Sequence, residues 1–421
     1  MIGREDVEVW TTRAGLDRRV GTLRPSLTSG RVLASSSFEY DSDYLRDGWQ
    51  ISPDLPLRAG RKYTEENSVL PGAFTDAAPD DWGQKLIRAD HVRRRRHDEA
   101  LPARLGDFDY LLGVSDHTRM GALRFRTTGP WLSSEVGVAN LHDIPRIVDA
   151  AQRYEDDEAT DEDIAYLGDV ATSPGGARPK ANVVTDEGTL AIAKLPHSKD
   201  GRFDVERWEA VALSLAGAAG LRTPVWHLAG PDTGRSVLVS ERFDRNSSGE
   251  RLGFMSGRTA LELGAHDDGS RKTYEDFADA IDRWSVAPSA DLAEMFGRIA
   301  LSILVNNVDD HWRNHGLLHD ENGWRLSPLF DVNPSRQRGV IDSRAVNDSD
   351  DPSHRQLSNL LTSASVFRLS AASARGVLRR VATAVSSWDH VAGDLGIAAT
   401  ERAAYESSFD ADQREWALAL D

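Results

Sequence analysis

Leu292, Met295, Phe296, Ile299, Ile303 and Leu304 recur at three-and-four spacing, the period of a helix with one apolar face. A strand cannot use that pattern, because its successive side chains point to opposite faces. From about residue 255 to the end the chain reads the same way, as mostly helical. The residues before it read differently. Val7-Glu8-Val9-Trp10-Thr11-Thr12 alternates like a strand, and Gly15, Gly21 and Gly30 punctuate short β-like runs up to Phe38. Leu70-Pro71-Gly72 is a turn, Asp80 and Asp81 offer caps to a helix opening at Trp82, and 108–112 followed by 121–126 reads as helix then strand. The expected fold class is therefore α+β. A β-rich domain is expected over 1–128, a helical and acidic connector over 129–168, a sheet-rich lobe over 169–250 and a helical lobe over 251–421.

A length of 421 residues leaves room for about two or three domains. Lys and Arg number 50 against 67 Asp and Glu, a formal charge of −17. A chain of that sign gains little from releasing counterions off a phosphate backbone, which disfavours strong direct binding to nucleic acid or to an anionic membrane. The basic run Arg93 to Arg96 reads as an exposed helix end. Cysteine is absent, which removes disulfides, thiolate metal sites and a cysteine nucleophile together and fits a cytoplasmic protein. No basic segment followed by an apolar one opens the sequence, and no run of about 18 apolar residues occurs in it, so no membrane role is expected.

The apolar helix is followed by Asn306-Asn307-Val308-Asp309-Asp310-His311-Trp312-Arg313-Asn314-His315, a dense polar run. In protein kinases a catalytic loop spaces a base Asp and a metal-binding Asn five residues apart. Asp309 and Asn314 have that spacing. A short apolar strand, Leu326 to Val332, then places Asp331 where a kinase holds a further Mg²⁺ ligand, with Val332 and Asn333 in place of the usual Phe and Gly. Asn314 and Asp331 supply the oxygen ligands that hard Mg²⁺ prefers. Upstream, Lys194 ends the strand-like run 190–194 as a candidate for the nucleotide phosphates. On the helix that follows, Glu209 shares a face with Leu213 and Ala216 and is the first choice to hold the lysine, with Glu206 second. Directly before the hairpin 182–194 stands Ser173-Pro174-Gly175-Gly176-Ala177-Arg178-Pro179-Lys180. Gly175 and Gly176 can bring backbone N–H groups close to phosphate oxygens, and Lys180 can add a point charge.

Rival readings fare worse. His311 and His315 stand four apart, but a zinc-protease helix would carry glutamate where Trp312 stands. A Gly-x-Ser-x-Gly elbow and a dinucleotide fingerprint are both missing. A small-molecule kinase and a noncatalytic nucleotide- or antitoxin-binding module remain as alternatives to a protein kinase.

Taken in order, the segments 173–180, Lys194, Glu241-Arg242-Phe243-Asp244-Arg245, 309–314 and Phe330-Asp331-Val332 resemble the HipA-type toxin kinases. The first 128 residues, with Phe38-Glu39-Tyr40-Asp41, Leu70-Pro71-Gly72 and Gly121-Ala122-Leu123, resemble that family's N-terminal domain. The resemblance implies a two-lobed kinase-like fold of the phosphatidylinositol-kinase type and a serine/threonine kinase of a toxin-antitoxin system that uses ATP and Mg²⁺. It also assigns roles by position. Lys194 would bind ATP phosphate, Glu241 and Phe243 would offer backbone groups to adenine, and Asp309 would be the catalytic base. Asn314 and Asp331 would hold Mg²⁺, His311 would support the loop, and Ser173 would be the site of autophosphorylation. The implied partners are a HipB-like helix-turn-helix antitoxin, which makes the DNA contact, and a protein substrate such as an aminoacyl-tRNA synthetase.

Overall fold

The computed structural model describes residues 6–13, 15–28, 33–65, 68–127, 129, 131, 138–172, 176–230, 235–264, 267–336 and 343–421. The protein is α+β, with a β-rich N-terminal region and a helical C-terminal one. Its packing defines two compact units. One contains Met1–Lys199, Ala229–Met255 and Glu262–Asp267; the other contains Asp200–Leu228, Ser256–Leu261 and Asp268–Asp421.

The first unit holds a five-stranded sheet in the order Lys62–Tyr63, Leu33–Tyr40, Leu16–Leu27, Val7–Arg13, Leu123–Arg126. Alternation along Val7–Arg13 buries Val7, Val9 and Thr11 on one face. On that face the rings of Phe38 and Phe74 meet edge-on at 5.2 Å, as do those of Phe74 and Phe125 at 5.3 Å. Such pairs add about 0.5–1.5 kcal/mol beyond the area they bury. Gly21 is required at its position in this sheet, since a Cβ there would stand 2.2 Å from the Glu39 carbonyl oxygen. A second sheet in the same unit runs Ala139–Asn140, Lys180–Val184, Leu190–Lys194, Val237–Glu241. Lys180–Val184 and Leu190–Lys194 form the antiparallel hairpin expected from the sequence, with Lys180 opposite Lys194. The helices Asp81–Arg95, Ile144–Glu155 and Asp161–Val170 contribute Trp82, Ile147 and Leu167 to the core cluster that includes Ala181, Ala191 and Val239 of this sheet. The acidic stretch of 155–163 lies at the end of one of these helices and the start of the next, where Thr160 and Asp163 form a capping box.

The second unit is built on the helix Pro288–Leu304, whose Met295, Phe296, Ile299 and Leu304 are wholly buried. Each such side chain contributes about 1.5–3 kcal/mol. Packed with it are Tyr274–Trp284, Leu357–Thr362 and Ala371–Val385. The helix Val205–Ala218 belongs to this unit, where Trp208 stacks on Tyr405 at 3.9 Å and donates from Nε1 to Glu401 at 2.9 Å. The expected boundaries at 128, 168 and 250 therefore do not coincide with the compact units. Contacts distant in sequence, such as Trp208 on Tyr405, decide where that helix packs. Among the described residues no helix is long and apolar enough to cross a membrane.

Candidate active site

The polar run after Pro288–Leu304 begins with a helix stop. Asn306 adopts φ of +51°, its N–H reaches the carbonyl of Ile303 at 3.2 Å, and the N–H of Asn307 reaches that of Ser302 at 2.9 Å. This is the paired bonding of a Schellman terminus, in which asparagine tolerates the left-handed conformation. The chain leaves it without regular structure, and neighbouring side chains diverge. The side chain of Asp309 is 64% exposed, whereas that of Asp310 is 4% exposed. Trp312 is buried against Tyr274 and Phe277 and donates from Nε1 to the Gly269 carbonyl at 3.0 Å.

A short 3₁₀ turn, Trp312–Asn314, folds the run back. The Asn314 side-chain Nδ2 donates to the main-chain carbonyl of Asp309 at 2.9 Å. That bond commits the amide nitrogen and leaves Oδ1, the atom a hard cation takes, on the other side of the amide. His311 Nε2 lies 3.7 Å from Asp309 Oδ1. His315 turns inward and meets Asp310 through Nε2 at 3.1 Å.

Asp310 is the buried hub of the loop. It also accepts from the Tyr274 and Ser302 hydroxyls and from Arg355 Nη1, the last at 2.9 Å. Burial pushes its carboxyl up, but His315, Arg355 and Ser302 outweigh burial and hold it well below the usual carboxylate range. Arg355 further donates to the Asn307 carbonyl at 2.8 Å. Nothing in the sequence marked Tyr274, Ser302 or Arg355, which lie 36, 8 and 45 residues from Asp310.

The strand expected over 326–332 ends at Leu326. Pro328 has no N–H to continue a ladder. The chain then runs without regular structure, with the Leu329 N–H on the Arg222 carbonyl at 2.8 Å, and reaches Asp331 at φ +58°. Val332 is buried beside it. Glu209 is buried as its helical face predicts, but so is Glu206, because the helix from 206 to 216 is buried almost all round. Helical periodicity does not separate the two.

In the first unit, Lys194 closes its strand opposite Leu238, and Glu241 pairs in register with Ala191. Phe243 lies half-buried, its ring 6.3 Å from that of Phe254. The residues between and after them are structural. Asp244 is fully buried, bound by Arg242 at 2.6 Å and Arg245 at 2.8 Å, and accepts the Gly121 N–H at 2.6 Å. Burial raises its carboxyl, but Arg242 and Arg245 outweigh burial and hold it low. The motif Glu241 to Arg245 thus clamps the segment around Gly121, a role its sequence did not disclose. Ser173 and Gly175 lie outside the described residues. Gly176 has φ +94°, which suits glycine. Lys180 differs from expectation. Its ammonium is not a free point charge; it is buried on Asp80 at 2.6 Å, because the loop before the strand lies over the start of the helix Asp81–Arg95.

Residues 8–126 match the HipA N-terminal domain, and residues 172–388 match the HipA-like C-terminal domain. Over 183 residues the chain is 25% identical to Y4mE of Sinorhizobium fredii, a protein named as an inferred kinase; the match covers 38% of this chain and 41% of that one. The chain thus spans about two fifths of the length of that relative. Among solved structures, HipA of Shewanella oneidensis, determined with HipB and operator DNA, superposes with a TM-score of 0.66 at 18% identity, covering 98% of this chain and 96% of that one.

Proposed function

From the premise that this chain belongs to the HipA family, we propose that it is an ATP- and Mg²⁺-dependent serine/threonine protein kinase and the toxin of a toxin-antitoxin pair. The observation that carries the reading is the pairing of an exposed Asp309 with Asn314, whose amide is fixed on the Asp309 carbonyl. Asp309 accepts or orients the proton of the substrate hydroxyl, and its exposure suits a macromolecular acceptor. The loop beneath it is held by the buried Asp310, so the carboxylate is placed before substrate arrives. Lys194 serves the phosphates of ATP, and Glu241 and Phe243 the adenine. Asn314 Oδ1 and the Asp331 carboxylate are hard oxygen donors that fit Mg²⁺, which when bound neutralises phosphate charge.

The partner proposed is a HipB-like helix-turn-helix antitoxin that carries the DNA contact, since the chain's own charge of −17 opposes phosphate binding. The substrate proposed is a translation-related protein such as an aminoacyl-tRNA synthetase, and Ser173 is the proposed site of self-modification. Incubating the protein and an Asp309→Asn variant with labelled Mg·ATP and a cell lysate tests the reading. The expected result is a labelled protein band that the variant does not produce. A labelled metabolite would instead indicate a small-molecule kinase, and no label a binding module.

A further inference from the structure

The segment 176–180 is tied to the start of the helix Asp81–Arg95 at two points, both on Lys180. Asp80 caps that helix, its Oδ1 accepting the Gly83 N–H at 2.6 Å. Its other oxygen, Oδ2, accepts from Lys180 Nζ at 2.6 Å, and the two side chains are 5% and 4% exposed. The same ammonium donates to the Gly176 carbonyl at 3.1 Å. Trp82, two residues on from Asp80, donates from Nε1 to the Lys180 carbonyl at 3.1 Å and is itself held edge-on to Tyr154. Lys180 is thereby fixed by its side chain and its main chain, and it holds the Gly176 carbonyl in turn.

We propose that Asp80 is a positioning residue for the segment 176–180, holding Lys180 as its anchor so that the segment's backbone N–H groups, and not the Lys180 ammonium, are left to meet phosphate. The inference rests on the phosphotransferase reading above for the word phosphate, and on geometry alone for the anchor. Two physical arguments support it. Withdrawing Lys180 to a ligand would strand a buried carboxylate without its counter-charge, one of the costliest changes available to a folded protein. Lys180 also stands directly opposite Lys194 in the hairpin, and like charges at such positions repel. Asp80 neutralises one of the pair, which divides the labour: Lys180 for the segment 176–180, Lys194 for the nucleotide. Asp80 lies in the segment matching the N-terminal domain and Lys180 in the segment matching the C-terminal one, so the kinase-like region depends on its N-terminal neighbour for the shape of 176–180.

Asp80→Asn separates the two tasks of Asp80, because asparagine caps a helix as well as aspartate does but carries no charge for Lys180. Lys180→Gln leaves the helix untouched, and the double variant closes a cycle. In nucleotide-free protein, both single variants are expected to speed amide exchange across 176–184. For Mg·ATP, each single variant and the double are expected to weaken binding by about the same factor, about tenfold or more, with KM raised more than kcat is lowered. Asp80→Asn that binds Mg·ATP as tightly as the parent, while Lys180→Gln alone loses it, would make Lys180 a phosphate ligand and overturn the proposal. So would unchanged amide exchange in either variant, and Lys180→Gln carries this arm should Asp80→Asn fail to fold. A parent protein that binds no Mg·ATP would refute the phosphotransferase reading, while the exchange measurement would still decide the anchor.

Discussion

Arg355 reaches across 45 residues of chain to place Nη1 on the Asp310 carboxylate at 2.9 Å, with both side chains almost fully buried. The pair is neighbour to the exposed Asp309, so the loop's proposed reactive group is carried on a buried charge network. Removing one member leaves the other uncompensated, at a cost of about 3–5 kcal/mol. Asp310→Ala and Arg355→Leu should each lower stability by that amount in denaturant unfolding, and the double variant by less than the sum.

The same carboxyl gives an acid dependence. Its value in the folded protein is held below that of an unfolded aspartate, about 3.9. The stability it contributes is therefore complete above that value and is lost as pH falls toward the folded one. Unfolding free energy measured from pH 7 down to pH 2 should fall less steeply at the acid end in Asp310→Asn than in the parent.

Asp309→Asn should behave in the opposite way. The side chain is largely exposed and its tie to Asn314 runs through the main-chain carbonyl, so stability should change by no more than about 0.5 kcal/mol. Phosphoryl transfer should fall by about 10²–10⁴-fold, the range for a lost general base. Calorimetric titration with Mg·ATP should show binding nearly unchanged. A stable variant with full turnover would remove Asp309 from the chemistry.

How much of this could be read beforehand depended on the range of the interactions. The helix Pro288–Leu304 and the hairpin 180–194 are written in local periodicity and turn residues, and the structure contains both. The candidate residues at 309, 314 and 331 came from spacing and resemblance, which specify residue type but not placement. Asp309 and Asp310 look identical in sequence, and only the direction the chain takes after Asn306 turns one outward and the other in. The ion pair of Lys180 is not legible locally because its partner Asp80 lies 100 residues away, and the contacts of Arg355 are hidden for the same reason. The apolar run up to Val332 suggests a strand through Asp331, but the strand stops at Leu326, and Pro328 has no N–H to continue a ladder.

Asp331 allows its backbone and its carboxylate to be tested apart. At φ +58° a side chain with Cβ is strained by about 1–2 kcal/mol, while glycine is not. Asp331→Gly should therefore exceed Asp331→Ala in thermal stability. Both should lose affinity for Mg·ATP and show a weakened magnesium dependence, because both lack the oxygen donors. If the glycine variant kept the parent's magnesium response, Asp331 would have only a conformational role.

Gly257 supports the loop from the other side. Its N–H donates to the His315 carbonyl at 2.7 Å, and a Cβ built on it would stand 2.8 Å from the Trp312 carbonyl oxygen and 3.2 Å from both His315 Cβ and Phe277 Cε2. The first of these atoms is main chain, so Gly257→Ala must move the turn Trp312–Asn314 to be accommodated. Overpacking of this kind costs about 1–3 kcal/mol. Because that turn carries Asn314, the displacement should also slow phosphoryl transfer. Gly376→Ala is the matching control: it lies inside the helix Ala371–Val385, and a Cβ there meets nothing within 4 Å. That change should raise stability by about 0.5–1 kcal/mol, the difference between alanine and glycine within a helix, and leave turnover alone. Unfolding curves and kcat measured on the two variants should therefore move in opposite directions for stability and diverge for activity. A Gly257→Ala protein that lost stability but kept its kcat would show that the reactive geometry tolerates movement of the turn.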